Sequence, residues 1–307
     1  MRILFMGTPE FAVPYLRQLV EDGHEVCGVF TQPDKPKNRG HKMSFSPVKE
    51  YALSQGLVVY QPLKMRDGEA FSIVQQLAPE LIVVAAYGKI LPDDILEFPR
   101  CGAINVHSSV LPRYRGAAPI NWAILNGEEE TGVTIMYMAS ELDAGDIIKV
   151  EKTKIGADET AGELTERLSH LGARALHEAV EEIAAGTAAR IPQEHDKSTY
   201  APMLSKELSN VDWNRTAHEI HCQIRGLLPW PAATTTLFSD APMKLYRAEE
   251  TGEKSAKPAG SIVSADKKGI AVVCGGGSIL RITEVQAAGG KRMSAAAYLL
   301  GHPIKPS

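Results

Sequence analysis

Asn105 and His107 stand two residues apart at the end of a short apolar run, Ala103 to Val106. A strand over that run turns both side chains to one face. Pro112 cannot join a central ladder, so the chain must leave the strand across Ser109 to Pro112. The result is an amide donor and an imidazole at a strand end, followed by a loop carrying Arg113 and Arg115. Such a pair can donate hydrogen bonds to an oxygen that gains negative charge, the ring doing so when it carries a proton on the facing nitrogen. The two arginines suit phosphate groups or a local salt bridge equally. Neighbouring backbone can also satisfy both side chains, and spacing alone does not choose. The stretch offers no activated Ser or Cys, so a covalent intermediate is not required.

The elements that must hold this pair read as α/β. Arg2 to Met6 is a continuous apolar run bounded by Gly7, as in a strand covered on both faces. Phe11, Tyr15, Leu16 and Leu19 give a helical stripe that Gly23 ends, and Glu25 to Thr31 is the next strand. This βαβ unit predicts a parallel sheet, whose carboxyl edge is where ligands bind. The first turn reads Gly7-Thr8-Pro9-Glu10 and lacks Gly-x-Gly-x-x-Gly, which disfavours a nicotinamide cofactor. Glu80 to Tyr87 reads as a central strand, and Thr131 to Met138 and Asp146 to Val150 as two more around a turn at 139–145. Thr160-Ala161-Gly162-Glu163 is a capping box that opens a long helix ending at Gly186.

The pattern changes after that helix. The expected division is a first domain over 1–189, a polar linker over 190–207 and a second domain over 208–307. Short strand-like pieces at 234–238, 243–248, 260–264, 270–274 and 279–285 have the spacing of a small open barrel with Greek-key winding. The chain has 307 residues and a net charge of -4, yet from Leu208 onward 12 Lys and Arg face 8 Asp and Glu. That basic third is a candidate for meeting a polyanion. Thr31 to Met43 is a long polar loop with Lys35, Lys37, Arg39 and Lys42 against Asp34. It reads as a solvated loop or as a flexible basic insertion that orders on nucleic acid. Four scattered cysteines, an N-terminus that enters a strand directly and no apolar run long enough for a bilayer predict a cytoplasmic protein without a membrane segment. His218, His221 and Cys222 share a helix, but nothing completes a ligand set, so no metal is expected.

Asn105-x-His107, Ser109-Val110-Leu111-Pro112, Arg113-Tyr114-Arg115-Gly116-Ala117-Ala118-Pro119 and Leu142-Asp143-Ala144-Gly145 together resemble the folate-dependent formyltransferases. Gly7-Thr8-Pro9 and Thr31-Gln32-Pro33-Asp34 extend the resemblance over nearly the whole chain, and Val110 replaces a common Leu. The resemblance implies an N-terminal Rossmann-like formyltransferase domain with a mostly parallel sheet and a smaller C-terminal OB-like β-barrel domain that binds tRNA. It implies 10-formyltetrahydrofolate as donor, the amino group of methionyl initiator tRNA as acceptor for translation initiation, and a monomer. By the same resemblance Asn105, His107 and Asp143 are catalytic. Tyr87, Gly88, Ile90 and Leu91, with Ser109, Val110, Leu111 and Pro112, lie along the folate. Lys35, Lys37, Arg39 and Lys42 belong to a loop that enters the tRNA acceptor arm. Arg39 matches that loop's key arginine, while Pro36 and Asn38 depart from its common form.

Overall fold

Ile3, Leu4, Phe5 and Met6 are fully buried on strand β1 (Arg2–Gly7), which is why that run shows no polar alternation. The computed structural model describes residues 1–37 and 42–307. Helix α1 (Val13–Glu21) turns Tyr15, Leu16 and Leu19 inward, and β2 (Glu25–Phe30) returns parallel to β1. Next comes a small antiparallel ribbon, β3 (Lys35–Lys37) with β4 (Lys42–Ser44). It replaces part of the long loop expected over Thr31 to Met43. A ribbon of this kind is held by backbone pairing and has no apolar rhythm to betray it. Then follow α2 (Pro47–Ser54), β5 (Val59–Tyr60), α3 (Glu69–Leu77), β6 (Leu81–Ala85), α4 (Asp93–Glu97) and β7 (Ala103–His107). After these come β8 (Arg115–Gly116), α5 (Pro119–Leu125), β9 (Glu130–Tyr137), β10 (Ile147–Lys154), α6 (Ala161–Ala185) and β11 (Tyr200–Ala201).

The main sheet has the order β10-β9-β7-β6-β1-β2-β5. The five strands from β5 to β7 are parallel, and β9 runs antiparallel to β7. Strand order reverses at β1, so a crevice opens beyond its carboxyl end. Gly7 pairs with Ala85 and Val84 pairs with Asn105. His107 therefore emerges at the same edge as the turns after Gly7 and Ala85.

The chain forms two compact units that do not follow chain order. The first takes 1–116, 131–153 and 165–200; the second takes 117–130, 154–164 and 201–307. The stretch expected as a linker thus lies mostly in the first unit, where Ile191 bridges to Ile147. The second unit adds α7 (Ala217–Gly226), opened by a capping box between Thr216 and Glu219. It continues with β12 (Ala233–Thr235), β13 (Met243–Lys254), β14 (Ile262–Asp266), β15 (Gly269–Val273), β16 (Ser278–Gln286), β17 (Met293–Ser294) and α8 (Ala295–Gly301). These strands form an antiparallel sheet, β12-β13-β16-β15-β14, with β17 on β16. Three hairpin-linked strands with β13 returning beside β16 make a Greek key. Ile220, Ile224, Met243, Leu245, Ile270, Leu280 and Ile282 fill its core. Among the described residues the pairing path ends at β12 and β14. No helix among the described residues is long and apolar enough to cross a membrane.

Candidate active site

Alternation along β7 sets Asn105 and His107 on one face, between buried Ile104 and Val106. His107 is itself buried, and its Nε2 lies 2.8 Å from the Tyr114 carbonyl. A carbonyl oxygen only accepts, so this contact places a proton on Nε2. Nδ1 faces Asp143 Oδ2 at 3.6 Å. That is an ion-pair distance, longer than a hydrogen bond.

Asp143 comes from the turn that joins β9 to β10. Tyr137 N donates to the Asp146 carbonyl at 2.9 Å, which closes the turn. A Cβ at Gly145 would stand 1.8 Å from the Tyr137 carbonyl oxygen, so this position admits only glycine. Asp143 has φ 51°, a left-handed conformation that Asp tolerates better than most residues. The backbone N–H of Gly116 donates to Asp143 Oδ2 at 2.8 Å and fixes the carboxylate.

The loop after His107 is held by polar side chains that sequence reading passed over. Thr134, opposite His107 on β9, donates through Oγ1 to the Ser109 carbonyl at 2.7 Å and accepts from Leu111 N at 3.2 Å. Ser109 Oγ donates to the Arg113 carbonyl at 2.6 Å. Tyr114 N donates to Thr199 Oγ1 at 2.8 Å, and Arg115 N donates to the Thr199 carbonyl at 2.8 Å. Thr134 lay in an ordinary apolar alternation and Thr199 in a polar stretch, so neither carried a sequence signal. Arg115 is buried, with its guanidinium on Gln193, Glu141 and His195. The local ion-pair reading is therefore the one that applies to Arg115. Arg113 is exposed, with its guanidinium 5.2 Å from the centre of the Tyr114 ring.

The two segments expected along the donor flank the same edge. Tyr87 is buried, its hydroxyl donating to Met65 Sδ at 3.4 Å, and burial pushes its phenol well above the usual range. The Tyr87 and Gly88 carbonyls accept from Gln32 Nε2 at 3.1 and 3.0 Å, and Thr8 Oγ1 donates to Tyr87 O at 3.2 Å. Leu91, Ser109 and Leu111 are also buried, whereas Val110 and Pro112 are half-buried and Ile90 is 73% exposed. A cleft of about 430 Å³ opens at the switch point, lined by Thr8, Pro9, Gln32, Phe45, Ala86 and Gly88 among others.

Of the basic residues, Lys35 and Lys37 lie on β3 and Lys42 on β4, while Arg39 lies outside the described residues. Asp34 is taken up by Lys49 at 2.5 Å and by Gln61, and the Lys49 hydrogen bond holds its carboxyl below the usual range. In the second unit His218 Nδ1 and His221 Nδ1 lie 2.9 and 3.5 Å from Glu250 Oε1. Burial lowers the pKa of His221. Among the described residues no group of three or more His, Cys, Asp or Glu is placed to hold a metal ion.

A family model described as formyl transferase matches residues 1–180, and one described as formyl transferase, C-terminal domain, matches residues 203–303. The methionyl-tRNA formyltransferase of Alkaliphilus oremlandii is 50% identical over 305 residues, covering 99% of this chain and 98% of that protein. The methionyl-tRNA formyltransferase of Clostridioides difficile is 48% identical over 307 residues, covering 99% of this chain and 98% of that protein. Among solved structures, the sugar 3N-formyl transferase WlaRD, crystallised with dTDP and 5-N-formyl-THF, superposes with a TM-score of 0.70. It is 18% identical and covers 92% of this chain and 97% of that one. HypX from Aquifex aeolicus, in complex with tetrahydrofolic acid, gives a TM-score of 0.63 at 18% identity, over 97% of this chain and 47% of that one. At such identities these structures speak to the fold. The full-length matches, on a chain that sets a histidine and an aspartate together at a sheet edge, establish that it belongs to the formyl transferase family, among the methionyl-tRNA formyltransferases.

Proposed function

We propose that the chain transfers the formyl group of 10-formyltetrahydrofolate to the α-amino group of methionyl initiator tRNA, with Asn105, His107 and Asp143 carrying the reaction. The observation behind this reading is the approach of Asp143 Oδ2 to His107 Nδ1, at 3.6 Å, across the end of the strand that also carries Asn105. The folate supplies a formyl carbon bonded to a nitrogen that can leave. The Asn105 amide donates to the formyl oxygen as it gains charge, and one such donor is worth about 3 kcal/mol. His107, protonated at Nδ1, donates as the second while its Nε2–H stays on the Tyr114 carbonyl. Asp143 balances the charge of that ring and, through water, accepts the proton that the attacking amine loses. The new carbon–nitrogen bond forms, the bond to the donor nitrogen breaks, and Asp143 returns the amine's proton through water to that nitrogen as it leaves.

Tyr87, Gly88, Ile90, Leu91 and Ser109 to Pro112 border the donor, chiefly through backbone groups. Lys35, Lys37, Arg39 and Lys42 meet acceptor-stem phosphates. The enzyme works as a monomer in the cytoplasm. A formylation assay offering methionyl initiator tRNA, methionyl elongator tRNA, an amino sugar nucleotide and water as acceptors tests the proposal. Rapid formylation of the initiator alone is expected. Equal or better turnover with the sugar nucleotide, or release of free formate as the main product, would replace the acceptor named here.

A further inference from the structure

We propose that Gln193 is a positioning residue for Asp143, so that a stretch read from sequence as a linker belongs to the reaction machinery; the inference rests on the role given to Asp143 above. Gln193 is 6% exposed. Its Nε2 donates to the Asp143 carbonyl at 3.0 Å and to the Gly145 carbonyl at 2.8 Å. Its Oε1 accepts from Arg115 Nε at 3.2 Å and from Nη2 at 2.7 Å. A side-chain amide has two N–H donors and two acceptor lone pairs, and here all four are used. The amide cannot flip, because the flipped group would set its oxygen against two carbonyls and its N–H groups against a guanidinium.

Arg115 is anchored in turn by Glu141 at 3.3 Å and His195 Nδ1 at 3.2 Å. Its neighbour Gly116 donates directly to Asp143 Oδ2. Both ends of Asp143 are therefore tied to the two residues of β8: the carbonyl through Gln193, the carboxylate through Gly116. This double hold fits a residue kept at φ 51°, which persists only where its surroundings over-determine it. Gln193 touches neither reacting group. It sets the height of the turn, and with it the 3.6 Å separation between carboxylate and imidazole.

The test is a four-enzyme cycle of wild type, Gln193→Glu, Asp143→Asn and the double variant, followed as single-turnover formylation of methionyl initiator tRNA with a radiolabelled donor. Gln193→Glu keeps the Arg115 pairing but faces two carbonyls with an acceptor. Its turnover should fall about 10–100-fold, because catalytic groups misplaced by an ångström lose about that much. The donor KM should hold within about two-fold, and the acid limb of the pH–rate profile should move. The double variant should be no slower than Asp143→Asn, since both changes act on one group. Losses that multiply would make Gln193 a general brace and overturn the inference. So would full turnover of Gln193→Glu beside a crippled Asp143→Asn. Full turnover of Asp143→Asn would instead overturn the role of Asp143, and this inference with it. Gln193→Ala, which lets water reach the two carbonyls, enters the same cycle if the glutamate variant melts early.

Discussion

Replacing Thr134 by Val exchanges a hydroxyl for a methyl of nearly equal volume at a fully buried site. It strands the Ser109 carbonyl and the Leu111 N–H, which the hydroxyl joins at 2.7 and 3.2 Å. A buried polar group left without a partner costs about 1–3 kcal/mol, so the pair should cost about 2–4 kcal/mol, the carbonyl less than the N–H. At about 2–4 °C per kcal/mol for units of this size, melting should fall by about 4–16 °C. The change also frees the segment from Ser109 to Pro112, so the donor KM should rise several-fold while the tRNA KM moves little. Calorimetry and initial rates with each substrate varied in turn read both effects. Thr134→Ser, which keeps the hydroxyl, should retain most of the stability. A Val variant that melts within about 1 °C of the parent with an unchanged donor KM would refute the idea that this hydroxyl holds the loop.

Asn105→Ala and His107→Ala should each cut single-turnover formylation by about 10²–10³-fold, the scale of one lost oxyanion donor, with both variants still folded. Stability should depend on pH with two opposing histidines. Burial first, then the N-terminal ammonium, holds His24 below its ordinary value, so the folded state favours the neutral ring. Its contribution is complete above about pH 6.5 and is lost as pH falls through and below that value. The hydrogen bond that His177 Nδ1 donates to the Asp22 carboxylate raises His177, whose contribution is complete below about pH 6.5 and lost as pH climbs above it. Relative to wild type, the denaturant midpoint of His24→Gln should gain as pH falls below about 6.5 and that of His177→Gln should gain as pH rises above it, and curves parallel to wild type for both variants would contradict the assignment. Lys35→Ala, Lys37→Ala and Lys42→Ala should each flatten the log–log salt dependence of tRNA binding by about 0.9 where the lysine meets a duplex phosphate, and an unchanged slope for all three would remove the ribbon from the interface.

The parallel sheet was legible because buried strands write their burial into unbroken apolar runs, as Ile3 to Met6 and Leu81 to Ala85 do. Asn105 and His107 were legible because a two-residue spacing on a strand means a shared face. Asp143 came through resemblance, since nothing local ties a turn residue to a distant strand. What escaped were contacts made by lone polar residues at long range. Gln193 and Thr199 look like solvent-loving linker residues until their partners are seen. β13 runs on to Lys254 where sequence reading stopped at Ala248, because its outer part carries Glu249, Glu250, Glu253 and Lys254 and has no apolar face to display. β3 and β4 escaped for the same reason.

The helix α5 precedes most of the first unit's later strands, yet it belongs with the second unit, where Asn121 Nδ2 donates to the Gly226 carbonyl at 2.8 Å. Arg225 likewise donates to the carbonyls of Gly156 and Glu159, both at 3.2 Å. A ribosome must therefore release α5 and the 154–164 segment long before their partners exist, and they wait unhoused until α7 emerges. No single cut in the gene separates the two units intact. They have to be inherited, expressed and lost together.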